Sequence, residues 1–518
     1  MIRTDLIAPI PALLRAQAEA RGAKIAYRDA SRAVTYGALL DQTGKLAGHL
    51  EDLGVAPGDT VAIFLPNSVE WIVSCFAIAR ADAVSVPISY DATLPEIAYR
   101  LDDAGCRVVI TTDERAELVE RAVAGLPGAA RLILVGRGAR HPSELRFAEL
   151  VTAAPPARPR DAAPLDAPSF IIYTSGTTGR AKGVILSLRS LLWVTASCWV
   201  PIVGLSEHDA VLSPLPLFHS YALSFSVLSI LATGATEQIC ERFSTREVLA
   251  TLADGSITLM PGVPTMYHYL LEAGRQAGVT RFPNLRLCVS AGAIMPATLN
   301  REFEARFGVT LLDGYGITET ATMVTMNWPT GGRVPGSCGL PVPGLAVRIV
   351  DPASGNDVAL GAEGELIVRG PNLMDGYHDK PAETAAALRD GWYHTGDLAR
   401  SDENGFMTIT GRLKELIIRG GQNIAPAEIE EAATLHEPVL ECAVIGVAHA
   451  QLGEVPVIFV VVKDGHAWDE QAFLDHCRSR LSAYKLPHAV HLTDQIPRTG
   501  SGKIMRFKLR ELLTVERA

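Results

Sequence analysis

The sequence predicts an α/β protein: a large N-terminal domain of parallel α/β sheets with a small β-rich subdomain, and a smaller α+β domain at the C-terminal end. Three observations predict it. Apolar strand patterns alternate with helix-length segments through the first half. From about Gly339, short alternating strands are separated by Gly, Pro and Asp turns. After Gly411 a compact mixture of helix and strand patterns fills the rest of the chain. Strands spaced by helix-length segments imply parallel βαβ units with both sheet faces covered.

The elements follow in order. Val61-Ala62-Ile63-Phe64-Leu65 is a buried-strand pattern that stops at Pro66-Asn67. Val69 to Ala81 has helix character, and Ala83 to Ile88, Val108 to Ile110 and Leu132 to Val135 repeat the strand signal. Ala153 to Pro168, rich in Ala and Pro, is a connector. Further strands are expected near Ile257-Leu259 and Leu285-Val289, then at Ala346 to Val350, Gly364 to Arg369 and Phe406 to Thr410. Pro426 suits the first turn of a helix, and Glu428, Glu430 and Glu431 suit its N-terminal end. Strands at Cys442 to Val447 and Val457 to Val462 and a helix from Asp469 to Arg480 complete the chain. The division falls into residues 1–411 and 412–518.

Composition narrows the function. With 518 residues, the chain is long enough for roughly three domain-sized units. Hydrophobic residues at 48% and charged residues at 20% fit a globular protein, and a net charge of −10 argues against a broad nucleic-acid footprint. No apolar run reaches membrane-spanning length, and Asp5, Pro9, Pro11 and Arg15 interrupt any leader-like core. The eight cysteines (Cys75, Cys106, Cys198, Cys240, Cys288, Cys338, Cys442 and Cys477) form no CxxC pair. Buried free thiols in a reducing cytoplasm are expected.

One stretch, Tyr173 to Val184, reads YTSGTTGRAKGV. Small residues let a backbone approach a ligand, hydroxyls donate to its oxygens, and Lys182 can neutralise charge, which is the chemistry of holding a polyphosphate. The spacing departs from a Walker A loop, because Lys182 is followed by Gly183 rather than Ser or Thr. As plain scaffold, the stretch would be a strand-to-helix loop. Four further stretches place Gly and polar residues where a scaffold has no need of them. Asp313 to Thr320 is DGYGITET, where Gly314 and Gly316 permit close approach, Tyr315 offers a stacking face and Glu319 is a candidate Mg²⁺ ligand. Tyr393 to Leu398 is YHTGDL, Gly411 to Glu430 is GRLKELIIRGGQNIAPAEIE, and Pro497 to Arg506 is PRTGSGKIMR.

Together these five stretches, in this order, resemble the core motifs of the acyl-adenylate-forming superfamily, the AMP-binding enzymes, and most closely the acyl-CoA and aryl-CoA synthetases. The resemblance spans nearly the whole chain. It implies ATP-dependent activation of a carboxylic acid as an acyl-adenylate, release of pyrophosphate, and transfer of the acyl group to CoA. It implies that Thr174, Ser175, Gly176, Thr177, Thr178, Gly179 and Lys182 hold the β- and γ-phosphates. Gly292, Ala293, Gly314 and Tyr315 would frame the adenine. Thr318 would touch the α-phosphate, Glu319 the Mg²⁺, and Asp397 and Arg412 the ribose. Lys503 would bridge the two reacting anions, a task that suits a cation and Mg²⁺. The C-terminal domain would be mobile, turning about Lys414 to present Lys503 for adenylation or Gly420 and Gly421 for acyl transfer. One departure is Ala181, where many members carry Pro.

Each residue has a plainer role available: Lys503 as a solvated lysine, Asp397 as a turn former, Arg412 as an ion-pair partner, Glu319 as a helix-start acid and His219 as a core histidine. The acid is approached through Leu215 to Tyr221, LPLFHSY. Amino-acid-activating relatives have Asp after the Phe; here His219 follows Phe218, which disfavours an α-amino acid. His219 and Tyr221 resemble the gate and wall of the CoA ligases, with Phe225, Met323 and Val324 in the same pocket. An apolar pocket suits a fatty, cyclic or aromatic acid. CoA is favoured as acceptor by RGGQN at Arg419 to Asn423; the alternatives are an amine, giving an amide, or a separate carrier protein. A luciferase-type activity is disfavoured by Ile418, where those enzymes carry lysine. A non-enzymatic binding protein would have lost Lys503. A cytoplasmic protein with small-molecule partners, no nucleic acid and no membrane span is expected, and a homodimer is compatible with the sequence.

Overall fold

The computed structural model describes residues 1–125, 130–136, 145–174, 180–420, 422–498 and 504–515. By packing, the chain divides into two units. One comprises Met1–Pro335, Gly339–Ala346 and Arg369–Tyr393; the other comprises Gly336–Cys338, Val347–Val368 and His394–Ala518.

The first unit is built on two sheets. In one, strand Thr60–Phe64 lies between Val84–Pro87 and Val108–Thr112, with Arg131–Val135 beyond, all parallel. In the other, Ile25–Arg28, Thr236–Ile239, Ala210–Ser213, Leu259–Gly262, Leu287–Ser290 and Thr310–Tyr315 run parallel in that order. The expected strand at Ile257-Leu259 is displaced forward, because pairing with Leu287–Ser290 runs through Pro261 and Gly262. Helix Val69–Arg80 is apolar on nearly every side because it is enclosed: Trp71, Ile72, Val73, Phe76 and Ile78 are all buried. The Ser68 hydroxyl accepts from Trp71 N at 3.2 Å and caps it, a contact worth about 1 kcal/mol.

The YTSGTTGRAKGV stretch is not a strand-to-helix turn. Strand Pro168–Thr174 is followed by antiparallel strand Lys182–Ser187, with Thr174 opposite Lys182. The apolar run Val184-Ile185-Leu186 pairs with Phe170-Ile171-Ile172, and that pairing overrides helix formation.

The connector before it has no regular structure but is firmly tied. Arg80, with a side chain only 6% exposed, donates through Nε to Asp161 Oδ1 at 2.9 Å and through Nη2 to Asp161 Oδ2 at 3.1 Å. Its third nitrogen donates to Leu40 O at 2.7 Å. Asp82 accepts from the backbone N–H groups of Ala162 and Ala163.

In the second unit, Asp397–Ser401 pairs antiparallel with Met407–Arg412. A long hairpin, Val439–His449 and Gly453–Val462, follows. Helix Pro426–Thr434 packs on that hairpin with Pro426 in its first turn. Glu430 accepts from Val444 N at 2.7 Å and pairs with Arg506. All eight cysteines are free and seven are buried; burial pushes the Cys477 thiol up to about 11, so it stays protonated at neutral pH. Among the described residues, no helix is long and apolar enough to cross a membrane.

Asp161→Asn keeps a residue that tolerates the positive φ of 53° at that site but removes the charge facing Arg80. Leaving the guanidinium buried and unpaired should cost about 3 kcal/mol in a urea titration followed by circular dichroism.

Candidate active site

In a parallel sheet the carboxyl ends of the strands are where loops converge and ligands bind. Leu287–Ser290 and Thr310–Tyr315 are neighbours, with Ser290 opposite Asp313. Gly292 and Ala293 follow the first strand and are exposed, and Tyr315 ends the second half-buried. Gly292 has φ of +87°, and a Cβ there would meet nothing closer than Val263 Cγ1 at 3.7 Å, so this edge is open. Gly316 is different in kind: a Cβ would fall 1.1 Å from Thr322 O, which excludes any side chain. Gly314 is nearly as tight: a Cβ there would lie 2.4 Å from Met323 Cε.

After Gly316 the chain makes a short 3-10 turn, Thr318–Thr320. Ala321 and Thr322 then take positive φ values of 48° and 109°. A β-branched residue in that region is strained, and such strain persists only where the surroundings over-determine it. Here Thr322 Oγ1 donates to Ser220 O at 3.0 Å, and Thr318 Oγ1 lies 3.2 Å from Ser220 Oγ. The GITET segment is thus stitched to the segment after His219. His219 Nδ1 accepts from Tyr221 N at 3.2 Å and is half-buried.

Glu319 is half-buried. Its Oε1 accepts from the Tyr377 hydroxyl at 3.1 Å, and its backbone carbonyl accepts from Met374 N at 2.9 Å. The face of the same Tyr377 ring receives Lys182, whose ammonium lies 4.9 Å from the centroid. Burial, with the Glu319 charge beside it, pushes the Tyr377 phenol up, so it remains a donor. Tyr377 therefore joins the lysine of the YTSGTTGRAKGV stretch to the carboxylate of DGYGITET. Sequence analysis missed it. The signal was faint: strand Gly376–Tyr377 pairs with Val184 and Ile185, inside a segment with no pattern of its own.

Tyr221, Phe225, Met323 and Val324 are buried. The Tyr221 hydroxyl donates to Val289 O at 3.1 Å, and its ring stacks on Trp199 at 6.0 Å. Trp199 meets Phe225 edge-on at 4.8 Å, and its Nε1 donates to Ser224 Oγ at 2.9 Å. Two π-helical segments, Thr195–Trp199 and Leu223–Leu228, carry Trp199 and Phe225, and neither π-helix nor Trp199 was foreseen. Wide turns of this kind are rare and recur at functional sites.

The second unit holds Asp397 and Arg412 directly across a strand pair, with Arg412 Nε 2.8 Å from Asp397 Oδ1. The Asp397 side chain is 3% exposed and that of Arg412 is 40% exposed, so the carboxylate is held inside while the guanidinium keeps an outer face. Lys414 is exposed in a short turn, Leu413–Glu415. Gly420 takes φ of +58° and donates to Leu452 O at 2.7 Å. Ser175, Gly176, Thr177, Thr178, Gly179, Gly421 and Lys503 lie outside the described residues.

This arrangement has relatives. The AMP-binding enzyme family matches residues 14–378, and the AMP-binding enzyme C-terminal domain matches residues 428–503. The chain is 38% identical to a feruloyl-CoA synthase of Amycolatopsis sp over 94% of its own length and 95% of that protein. It is 33% identical to a long-chain-fatty-acid–CoA ligase of Bacillus subtilis (strain 168), over 92% and 90% respectively. Among solved structures, the anthranilate CoA ligase AuaEII in complex with anthranoyl-AMP superposes with a TM-score of 0.91 at 27% identity, over 99% of each chain. The chain belongs to the AMP-binding enzyme family, the acyl-adenylate-forming enzymes that its five ordered motifs resemble.

Proposed function

We propose that this enzyme is an AMP-forming acid–thiol ligase: it activates a carboxylic acid with ATP as an acyl-adenylate, releases pyrophosphate, and transfers the acyl group to CoA. The observation that carries the reading within the first unit is the link from Lys182 through Tyr377 to Glu319. It ties a cation suited to the β- and γ-phosphates to a carboxylate suited to Mg²⁺. A metal of this kind is commonly held by one or two carboxylates plus substrate phosphates, so a single Glu319, with one oxygen committed to Tyr377, fits that donor set. When bound, Mg²⁺ would neutralise charge on the phosphate oxygens.

The residues divide the work as follows. Thr174, Ser175, Gly176, Thr177, Thr178, Gly179 and Lys182 hold the leaving pyrophosphate. Gly292, Ala293, Gly314 and Tyr315 frame the adenine, Gly292 and Ala293 on an open edge. Thr318 donates to the α-phosphate. Asp397 accepts from the ribose hydroxyls, and Arg412, its ion-pair partner across the strand pair, keeps that carboxylate aimed. Lys503 neutralises both the attacking carboxylate and the α-phosphate, which otherwise repel. The acid enters beside His219 into a pocket walled by Tyr221, Phe225, Met323 and Val324. Residues 412–518 turn about Lys414, presenting Lys503 for the first half-reaction and Gly420 and Gly421 for the second. Relatives are named for feruloyl, anthranilate and long-chain fatty acid CoA ligation, which supports an acid with a largely apolar body as substrate.

Lys503→Ala should lose about 2.7–4 kcal/mol of transition-state stabilisation, a 10²- to 10³-fold drop in acid-dependent pyrophosphate exchange with unchanged thermal unfolding; wild-type exchange would refute the role. Tyr377→Phe keeps the ring under Lys182 but removes the bond to Glu319. It should raise the Mg²⁺ concentration needed for half-maximal activity severalfold, corresponding to about 1 kcal/mol. With an acid panel and both CoA and amines offered, mass spectrometry should find the thioester as dominant product; an amide without thioester would replace the acceptor.

A further inference from the structure

Helix Leu94–Asp103 is tied to both sides of the hairpin that carries the YTSGTTGRAKGV stretch. The helix is a firm base. Glu96 Oε2 accepts from Thr93 N at 2.8 Å at its start, and Ile97 and Leu101 are buried in the same apolar cluster as Ile171 of strand Pro168–Thr174. Tyr99 and Asp103 reach the hairpin from it. On the first side, the Tyr173 hydroxyl donates to Asp103 Oδ2 at 2.7 Å. On the second, just before strand Lys182–Ser187, the Tyr99 hydroxyl donates to Ala181 O at 2.8 Å. The two rings meet edge-on with 6.1 Å between centroids, and the Arg180 guanidinium lies 5.8 Å from the Tyr99 centroid. Burial, and then the neighbouring Asp103 carboxylate, pushes both phenols up, so both remain donors at neutral pH.

The bond from Tyr99 falls where the hairpin's own pairing stops. Among the described residues the ladder ends at Thr174 opposite Lys182, so Ala181 lies one residue beyond the last paired position. A proline at 181 would fix φ through its ring, whereas alanine leaves the backbone free to turn. Lys182 comes next, and its ammonium lies 4.9 Å from the Tyr377 centroid. A lysine stem is flexible, so the direction in which it leaves the backbone decides where its charge arrives. Tyr99 holds the carbonyl of the peptide unit that joins Ala181 to Lys182, the unit immediately before that stem.

We infer that Tyr99 is a positioning residue for the pyrophosphate-holding lysine: by tying the Ala181–Lys182 peptide to helix Leu94–Asp103, it aims Lys182 at the β- and γ-phosphates of ATP. The inference rests on the phosphate role assigned above to Lys182. A hydroxyl from another element here supplies the stiffness that ring closure supplies where proline occupies position 181. Tyr99 acts through Lys182, so its effect falls on the ligands that Lys182 meets, ATP and pyrophosphate. AMP, which lacks the two outer phosphates, and the acid are bound by other residues. A side chain that only stabilised the fold would affect all four ligands alike.

The test is Tyr99→Phe, which removes the hydroxyl and keeps the ring beside Arg180. It is read in ATP–pyrophosphate exchange, with the acid of the panel that supports the fastest exchange. The KM values for ATP and for pyrophosphate should each rise about three- to tenfold, the scale of one hydrogen bond, and kcat should change less than either. The inhibition constant for AMP, the KM for the acid and the thermal unfolding midpoint should keep their wild-type values. Lys182→Ala, measured in parallel, should raise the ATP and pyrophosphate constants further. If Lys182→Ala raises them while Tyr99→Phe leaves both unchanged, the inference is overturned and the role of Lys182 stands. A uniform rise in all four constants in Tyr99→Phe, with a lowered midpoint, makes Tyr99 structural and also overturns it. If neither variant moves the ATP or pyrophosphate constants, the assignment of Lys182 itself fails, and the inference with it.

Discussion

In the first unit, the turn that carries Glu319 and the strand that carries Lys182 are joined through one side chain, Tyr377, whose hydroxyl donates to Glu319. A half-buried carboxylate can adopt several rotamers. The phenol selects the rotamer, and because it is held protonated it does so without competing for charge. The same ring receives Lys182, so anion and cation are positioned by opposite features of one side chain: its hydroxyl and its face. The backbone strain at Ala321 and Thr322 belongs to the same device. Ser220 holds both sides of the turn, which keeps Thr318 and Glu319 where an unstrained loop would not.

In the second unit a comparable economy appears. Asp397 and Arg412 stand across a strand pair, so the sheet fixes their separation before any ligand arrives. Burying the carboxylate while leaving the guanidinium partly outside lowers the cost of holding the pair, since only one ion is fully withdrawn from water. Preorganisation of this kind spares binding energy that would otherwise be spent ordering two long side chains.

The sequence exposed most of this where local pattern and tertiary role agree. Strands such as Thr60–Phe64 and Val108–Thr112 are continuous apolar runs because both faces are covered, and they appear where the pattern placed them. Helix Pro426–Thr434 announced itself through Pro426 and its acids. Strand Thr236–Ile239, with the sequence TEQI, gave no such signal, since its one buried position of chemical interest is an acid. The antiparallel pairing after the YTSGTTGRAKGV stretch was likewise hidden, because Val184-Ile185-Leu186 has too little length to separate strand from helix. Tyr377 and Trp199 were invisible for a different reason: their importance arises from what tertiary contacts bring beside them, and no spacing along the chain encodes that.

The π-helical segment Leu223–Leu228 has a consequence for how the protein tolerates change. A widened turn strains its own hydrogen-bond ladder, and here outside donors take up the carbonyls near it: Tyr27 takes that of Val227, while Tyr36 takes those of Ile230 and Ala235. The curvature of this segment is therefore supported by two phenols from the amino-terminal part of the chain, about two hundred residues away. Trimming that end past Tyr27 would accordingly loosen a segment far from it along the chain, the one that carries Phe225.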